Sequence, residues 1–312
     1  MNTTFMLDGG AGRIICAIPA LEQYHRDNPQ DDFKVLVSGW GPLYLGHPLL
    51  HDRVFPAEEP GSFRDHIYPN RCVSPEPYRL YEYYHDRVSM AEAFDIIING
   101  RPSCSEYKPN LYINFEEDKR AILLLEDLKL KTGKDKVVVI NPFGSSCYPD
   151  DATNRVLDAS GRSIPSDVYD RIVDKIRKEA AVLYFGLPEP WSFTSRKSHH
   201  IFEEKPSLRD YMALIANSDY FIGCDSVGQH MARSFNKPGL ILMGATEESN
   251  VSYPDYDKFT IYRKSNVQRE YPPLRLSPGD CQVADQINEK LMHFSNKEID
   301  RMVKVVLDQL NG

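Results

Sequence analysis

The stretch Tyr220–Thr246, YFIGCDSVGQHMARSFNKPGLILMGAT, decides how the chain is read. Tyr220–Gly223 is an apolar run ending in glycine. Asp225 and Ser226 stand where a strand gives way to a helix, and His230 follows within the helix. Lys237, Pro238 and Gly239 close that helix, and Leu240–Met243 opens a second apolar run. The pattern predicts a βαβ unit. It places Asp225, Ser226 and the N–H groups of Val227 and Gly228 at the carboxyl end of a strand, where open α/β sheets hold ligands. Asp and Ser are also favoured helix N-caps, so a purely structural role accounts for the same pair.

Working upstream, Lys136–Ile140 (KVVVI) has the near-continuous apolar character of a strand buried in a parallel sheet. Asn141, Pro142, Phe143, Gly144, Ser145 and Ser146 form the turn after it, followed by a polar loop over Cys147–Gly161. Arg162 precedes a helix predicted over Ser163–Ala180, with Pro165 near its first turn. Ala181–Phe185 is a strand, after which come Glu189 and Trp191, with His199 and His200 in a solvated loop. Ser207 caps a short amphipathic helix that runs to Asn217. Residues 247–285 are loop-rich, and Gln282–Met292 and Lys297–Leu310 are expected as closing helices.

The first half opens similarly. Phe5–Leu7 is a short apolar run, and Asp8, Gly9, Gly10, Ala11, Gly12 and Arg13 form a glycine-rich turn before a helix predicted over Ile14–His25, which Pro19 interrupts. Lys34–Ser38 is a second strand. Residues 51–87 read as long loops with a short helix, in which Tyr78, Tyr81, Tyr83 and Tyr84 cluster. Phe94–Ile98 (FDIII) reads as a third strand and Glu116–Leu130 as a helix. Thr132–Asp135 is the expected linker, dividing the chain into domains 1–133 and 134–312. Each half thus starts with a strand and a Gly- or Ser-rich turn. The fold class expected is α/β, with two Rossmann-like domains facing a cleft that holds the ligand.

Totals bound the function. The chain has 312 residues, 41% hydrophobic and 26% charged, which is ordinary for a globular protein of two domains. A net charge of −8 argues against a general nucleic-acid or anionic-membrane surface. No apolar run approaches the roughly 20 residues needed to span a bilayer, so no integral membrane segment is expected. The six cysteines show no CxxC spacing, and no signal peptide is read, which points to reduced thiols in a cytoplasmic protein. Asp31-Asp32 and Asp150-Asp151 are adjacent pairs that point apart on a regular backbone. Neither pair is a metal-ligand pair, so no metal site is expected.

The detailed pattern resembles glycosyltransferase family nine, the heptosyltransferase-like enzymes of GT-B fold. Four segments carry the resemblance: GGAGRIICAIPALEQYHRDNP, VVVINPFGSS, Arg162-Ser163-Ile164-Pro165, and SLRDYMALIANSDYFIGCDSVGQHMARSFNKPGLILMGAT. The last resembles the family's Asp-Ser/Thr-Gly-x-x-His-x-Ala run followed by Lys-Pro, sharing its Asp, Ser, His and Ala. The match covers most of 134–246 and the opening residues, and is weak over about 45–130.

The resemblance implies a metal-independent, inverting glycosyltransferase. A nucleotide-sugar donor would be the co-substrate, with no cofactor, and the acceptor would be a saccharide or another hydroxyl. A nucleic-acid acceptor is disfavoured by the acidic pI of about 5.6. Stabilising the leaving diphosphate calls for hydroxyls, helix N-terminal amides and a cation. Gly10, Gly12, Gly144, Ser145, Ser146, Arg162, Asp225, Ser226, Val227 and Gly228 are the candidate donor contacts. Glu189 is a candidate ribose or base contact, and His230 either touches the ligand or fixes its helix. The final helix is expected to pack back on the first domain.

One departure stands out. The family's opening turn ends Gly-Asp, and that Asp is the presumed acceptor base; here the residue is Arg13. A guanidinium is no base at neutral pH. Either Asp8 takes the role, or Arg13 binds an anionic acceptor or the phosphates, or the chemistry has changed. A nucleotide-sugar or glycan-binding protein that lost its base is the alternative reading.

Overall fold

The computed structural model describes residues 2–144, 147–150, 155–158, 160–186, 199–200, 207–265, 267, 273 and 291–311. The chain forms two compact units. One holds Met1–Ile113 and Ser249–Val251, and the other holds Asn114–Glu248, Ser252–Tyr271 and Asp285–Gly312. The division falls at Ile113/Asn114, ahead of the expected linker at 132–135. The reason is the helix α5 (Phe115–Thr132), which packs on α7 (Leu208–Asn217) in the second unit. A capping box between Asn114 and Glu117 starts α5, and Arg209 holds Glu117 in a buried two-pronged ion pair.

Unit 1 contains β1 (Thr3–Leu7), α1 (Ala11–Cys16), α2 (Ile18–Asp27), β2 (Lys34–Val37), β3 (Val54–Pro56), β4 (Arg71–Val73), α3 (Tyr81–Tyr84) and α4 (Met90–Asn99). Its parallel sheet has the order β3-β2-β1-β4. The chain winds outward from β1 through β2 to β3, then returns to the other side of β1 as β4. β1 and β4 therefore flank the point where winding reverses, with Thr3 opposite Arg71 and Phe5 opposite Val73. Two expectations change here. The region 51–87 contributes β3 and β4 to the sheet. Phe94–Ile98 lies within α4, because Ser89 caps its start by accepting from the Glu92 amide and Gly100 (φ 77°) ends it. Asp95, fully buried in that run, accepts hydrogen bonds from the Ser103 and Cys104 amides at 2.6 and 2.8 Å, contacts that five apolar-looking letters do not disclose.

Unit 2 starts with α5 and continues through β5 (Val137–Asn141), β6 (Cys147–Asp150), β7 (Arg155–Asp158), α6 (Ser166–Ile176), β8 (Ala181–Tyr184), β9 (His199–His200), α7 and β10 (Tyr220–Cys224). After these come α8 (Val227–Ser234), β11 (Gly239–Met243), α9 (Glu248–Val251, whose last three residues belong to unit 1), β12 (Phe259–Arg263) and α10 (Asn296–Asn311). The main sheet is parallel with order β12-β11-β10-β5-β8-β9. Winding begins at β5, runs out through β8 to β9, and restarts beside β5 with β10. This is the doubly wound dinucleotide-binding order.

Alternate residues of these strands face opposite sides. Val138, Ile140, Ile222, Leu240 and Leu242 pack with Ile172, Val173, Ile299, Met302 and Val306, so α6 and α10 cover one face. The closing helix is thus part of unit 2's own core. Three further differences appear. The expected polar loop after Gly144 contains the antiparallel hairpin β6-β7. His199 and His200 pair with β8 as an edge strand. Phe259–Arg263, in the stretch read as loops, adds β12 beside β11. The helix expected over Gln282–Met292 lies outside the described residues save its last two.

Candidate functional site

In unit 2 the chemistry gathers where winding reverses, at the carboxyl ends of β5 and β10. Asn141 pairs with Gly223, so the turn Pro142–Gly144 leaves β5 at the level where Asp225 leaves β10. Asp225 is 5% exposed and accepts from Gln229 Nε2 at 3.0 Å. Ser226 is the N-cap of α8, yet its side chain makes no capping hydrogen bond. The capping role open to Ser226 is therefore not what its side chain does. Val227 and Gly228 open α8. A Cβ on Gly228 would collide with the Tyr211 hydroxyl and the Phe221 ring, so this glycine lets α8 sit close to the sheet.

Arg162 reaches the same place from the loop before α6, its Nη1 lying 3.8 Å from Asp225 Oδ2. Burial pushes the Asp225 carboxyl upward, and the Arg162 guanidinium, Thr246 and Gln229 oppose that shift. The loop is organised by Asp158, a residue the sequence reading passed over. Its carboxylate accepts from the Ser160 amide at 2.8 Å, the Ser163 amide at 2.7 Å and both serine hydroxyls. Burial raises the Asp158 pKa, but these bonds outweigh it and hold the carboxyl below its ordinary range.

The bracing continues outward. Ser160 Oγ accepts from Arg162 Nε at 3.0 Å, and Ser163 Oγ accepts from the Gly144 amide at 3.0 Å. Gly161 (φ 63°) allows its carbonyl to approach Gly244 so closely that a Cβ there would collide with it. The signal was present as Asp-x-Ser-Gly-x-Ser, an arrangement suited to side chain-to-backbone turns.

The structure brings Gly144, Arg162, Asp225, Ser226, Val227 and Gly228 to one end of the unit 2 sheet. Ser145, Ser146, Glu189 and Trp191 lie outside the described residues. His230 is buried, its Nδ1 2.8 Å from the Tyr253 hydroxyl, and burial lowers its pKa to about 4. It is neutral at physiological pH, and Tyr253 engages its polar edge.

In unit 1 the matching position is occupied by Asp8, Gly9, Gly10 and Arg13 after β1, with Pro75 and Glu76 after β4. Arg13 is buried. Its Nη2 donates to Pro75 O at 3.1 Å and Glu76 Oε2 at 3.2 Å and lies 3.2 Å from Asp8 Oδ1. The guanidinium carbon also lies 5.3 Å from the Tyr78 ring centre and 5.8 Å from that of Phe94. Arg13 is therefore an internal tie between the β1 and β4 loops, desolvated and shared by two carboxylates. Asp8, with its side chain 39% exposed, is the member of the trio turned most to solvent.

Gly9 adopts φ 93°, open to glycine alone without strain, and its carbonyl accepts from Trp40 Nε1 at 2.8 Å. Trp40 is 40% exposed at this rim. Gly10 is the N-cap of α1 and Gly12 lies in its first turn. Glu76 went unnoticed because a lone carboxylate between prolines has no distinguishing pattern.

Among the described residues, no group of three or more His, Cys, Asp or Glu is placed to hold a metal ion, and no helix is long and apolar enough to cross a membrane. Neither a protein-family model nor a curated protein matches the chain. Solved structures do. The glycosyl transferase family 9 structure from Veillonella parvula DSM 2008 is similar over 99% of this chain and 97% of its own, with TM-score 0.67 and 12% identity. The iron-containing dodecameric heptosyltransferase TibC of enterotoxigenic E. coli H10407, in complex with ADP-D-beta-D-heptose, matches over 99% and 77%, with TM-score 0.62 and 11% identity. E. coli ADP-heptose lps heptosyltransferase II matches over 98% and 100%, with TM-score 0.57 and 11% identity. The chain has the mixed α/β, GT-B fold of these structures.

Proposed function

We propose that this chain is a glycosyltransferase that moves a sugar from a nucleotide-sugar donor to an acceptor hydroxyl. The observation that carries the reading is the Arg162–Asp225 pair at the reversal point of the unit 2 sheet, beside the amino end of α8 and braced by Asp158. Unit 2 binds the donor. Arg162 and the amides of Val227 and Gly228 meet the charge of the leaving diphosphate, and Asp225 orients the donor sugar. Ser145, Ser146, Gly144 and Glu189 complete the donor contacts, and Gly10 and Gly12 contribute backbone approach from unit 1. His230 fixes α8 through Tyr253.

The reaction is a single displacement. The acceptor oxygen forms a bond to the anomeric carbon as the bond from that carbon to the diphosphate oxygen breaks, which inverts the anomeric centre. The acceptor proton passes to a carboxylate of unit 1, for which Asp8 is the candidate. Arg13 positions that carboxylate and takes no proton. With a cation and helix amides to meet the leaving charge, the mechanism is metal-independent. TibC, of the same fold, is solved with ADP-heptose, which supports a nucleoside-diphosphate sugar as donor class. The acceptor is a saccharide or another hydroxyl compound; net charge −8 disfavours nucleic acid. The site of action is cytoplasmic.

Arg13, where the resemblance implies a carboxylate, keeps a second reading in view: a nucleotide-sugar-binding protein without turnover. The two separate when the protein is incubated with a panel of nucleotide sugars, with and without saccharide acceptors, and nucleoside diphosphate release is measured. Acceptor-dependent release is expected. Tight donor binding without release under every acceptor selects the binding protein. Donor affinity unchanged in Arg162→Ala and Asp225→Ala would sink the donor site itself.

A further inference from the structure

Helix α5 is amphipathic twice over. Ala121, Leu125 and Leu128 are buried on the side toward α7, where Glu117 meets Arg209. The opposite side is apolar as well, and open. Phe115 is 74% exposed, Ile122 42%, Leu123 61% and Leu130 84%. At 3.6 residues per turn these four fall in one sector about 100° wide, the width of a helix face made for burial. Lys119 and Glu126, both exposed, stand in the middle of that sector. Single exposed leucines need no explanation, but a stripe running the length of an 18-residue helix does.

The order of residues along the stripe identifies what fits it. A two-fold axis between Ile122 and Leu123 brings Phe115 level with Leu130 of a second helix, Ile122 with Leu123, and Lys119 with Glu126. Symmetry repeats each pair on the far side of the axis. The first turn of α5, with Glu116 exposed, then lies level with the basic last turn of the second helix (Lys129, Lys131), and the helix dipoles run opposed. A parallel arrangement would instead stack Lys119 on Lys119 and Glu126 on Glu126. The stripe is complementary to itself in the antiparallel sense alone.

We infer that the outer face of α5 is a self-association surface, and that its partner is a second copy of this chain packed antiparallel through the same helix. The conclusion is independent of the enzymatic reading. A contact built on one helix is at the small end of specific interfaces, so a dimer with a dissociation constant of micromolar order is expected.

Sedimentation equilibrium of the full chain over about 1–100 µM tests this directly. The expected result is a monomer–dimer equilibrium that Leu123→Glu weakens more than about tenfold, with a circular dichroism melt unchanged at concentrations below the dissociation constant because the site is exposed. Lys119→Glu and Glu126→Lys, each creating two like-charge contacts, weaken dimerisation by about tenfold. The double variant Lys119→Glu/Glu126→Lys recovers it to within about threefold, because the swap restores the symmetric pair. A monomer at every concentration overturns the inference, as does a dimer indifferent to Leu123→Glu. A double variant no better than the singles overturns the antiparallel register. A monomer whose α5 outer face is protected from solvent would mean that another segment of the chain covers it, which also overturns the proposal.

Discussion

Asp158→Ala perturbs the proposed donor site at its brace. The carboxylate accepts from two backbone amides and two serine hydroxyls. Hydrogen bonds to a charged acceptor net about 1.5–3 kcal/mol each, and the serine hydroxyls re-pair with water once the carboxylate is gone, so the two amide bonds put the loss at about 3–6 kcal/mol. For a domain of this size that lowers the melting temperature by roughly 6–24 °C.

The functional consequence follows from Arg162. Its Nε donates to Ser160 Oγ, and Ser160 is held by Asp158. Without that brace Arg162 must be ordered on binding, at a cost of about 0.5–1.5 kcal/mol, so nucleoside diphosphate affinity falls about 3–10-fold. The pH dependence has a defined sign. Asp158 sits below its ordinary pKa when folded, so its contribution is present above about pH 4 and lost as pH falls through the folded value. The variant lacks that share of acid sensitivity. Thermal melts from pH 7 down to about 3, with titration calorimetry against ADP, UDP and GDP, read all three effects. A variant that melts with the wild type refutes the brace. One that melts lower but binds every nucleotide as the wild type does refutes the link to Arg162.

Three further outcomes are expected. Asp8→Asn abolishes acceptor-dependent turnover while donor affinity stays within about twofold, since Asp8, the proposed base, belongs to unit 1; steady-state kinetics beside calorimetry check the split. Arg13→Asp, which supplies the carboxylate implied by the family resemblance, does not raise turnover. It sets a third carboxylate beside Asp8 and Glu76 in place of their shared cation, destabilising unit 1 by about 3 kcal/mol or more in urea unfolding. His230 is depressed to about 4 when folded, so it favours the folded state above its unfolded value of about 6.5 and loses that contribution as pH drops toward 4. His230→Asn therefore flattens the stability slope in that window by about one proton, measured by denaturant titration at successive pH values.

Local pattern was enough for much of the fold. The apolar run read over Lys136–Ile140, the Ser207 cap and the Pro-Gly break before β11 each act through neighbours in sequence, and each appears within a residue of where the letters place it. The short strands did not disclose themselves. β3 and β4 have three residues apiece and no alternation long enough to read, and they become strands because β1 and β2 offer edges to pair with. Phe94–Ile98 illustrates the opposite case. A short apolar run suits a buried strand or a buried helix equally well, and only the Ser89 cap and the Asp95 network settle it as helix.

The site divides along the same line. The sequence by itself determined that Asp225 and Ser226 end a strand and begin a helix, because hydrophobic runs, caps and breakers are encoded over a few residues. It also determined that no carboxylate occupies position 13. Tertiary structure alone decided that Arg162, far away in sequence, comes to lie 3.8 Å from Asp225. It decided equally that Asp158 organises the Arg162 loop and that Glu76 meets Arg13. Those meetings depend on which strands lie side by side, and strand order is set by the packing of whole sheets. The outer stripe of α5 belongs to both. Its letters are legible as a second apolar face, but only the fold, by burying the first face against α7, shows that this one is left open.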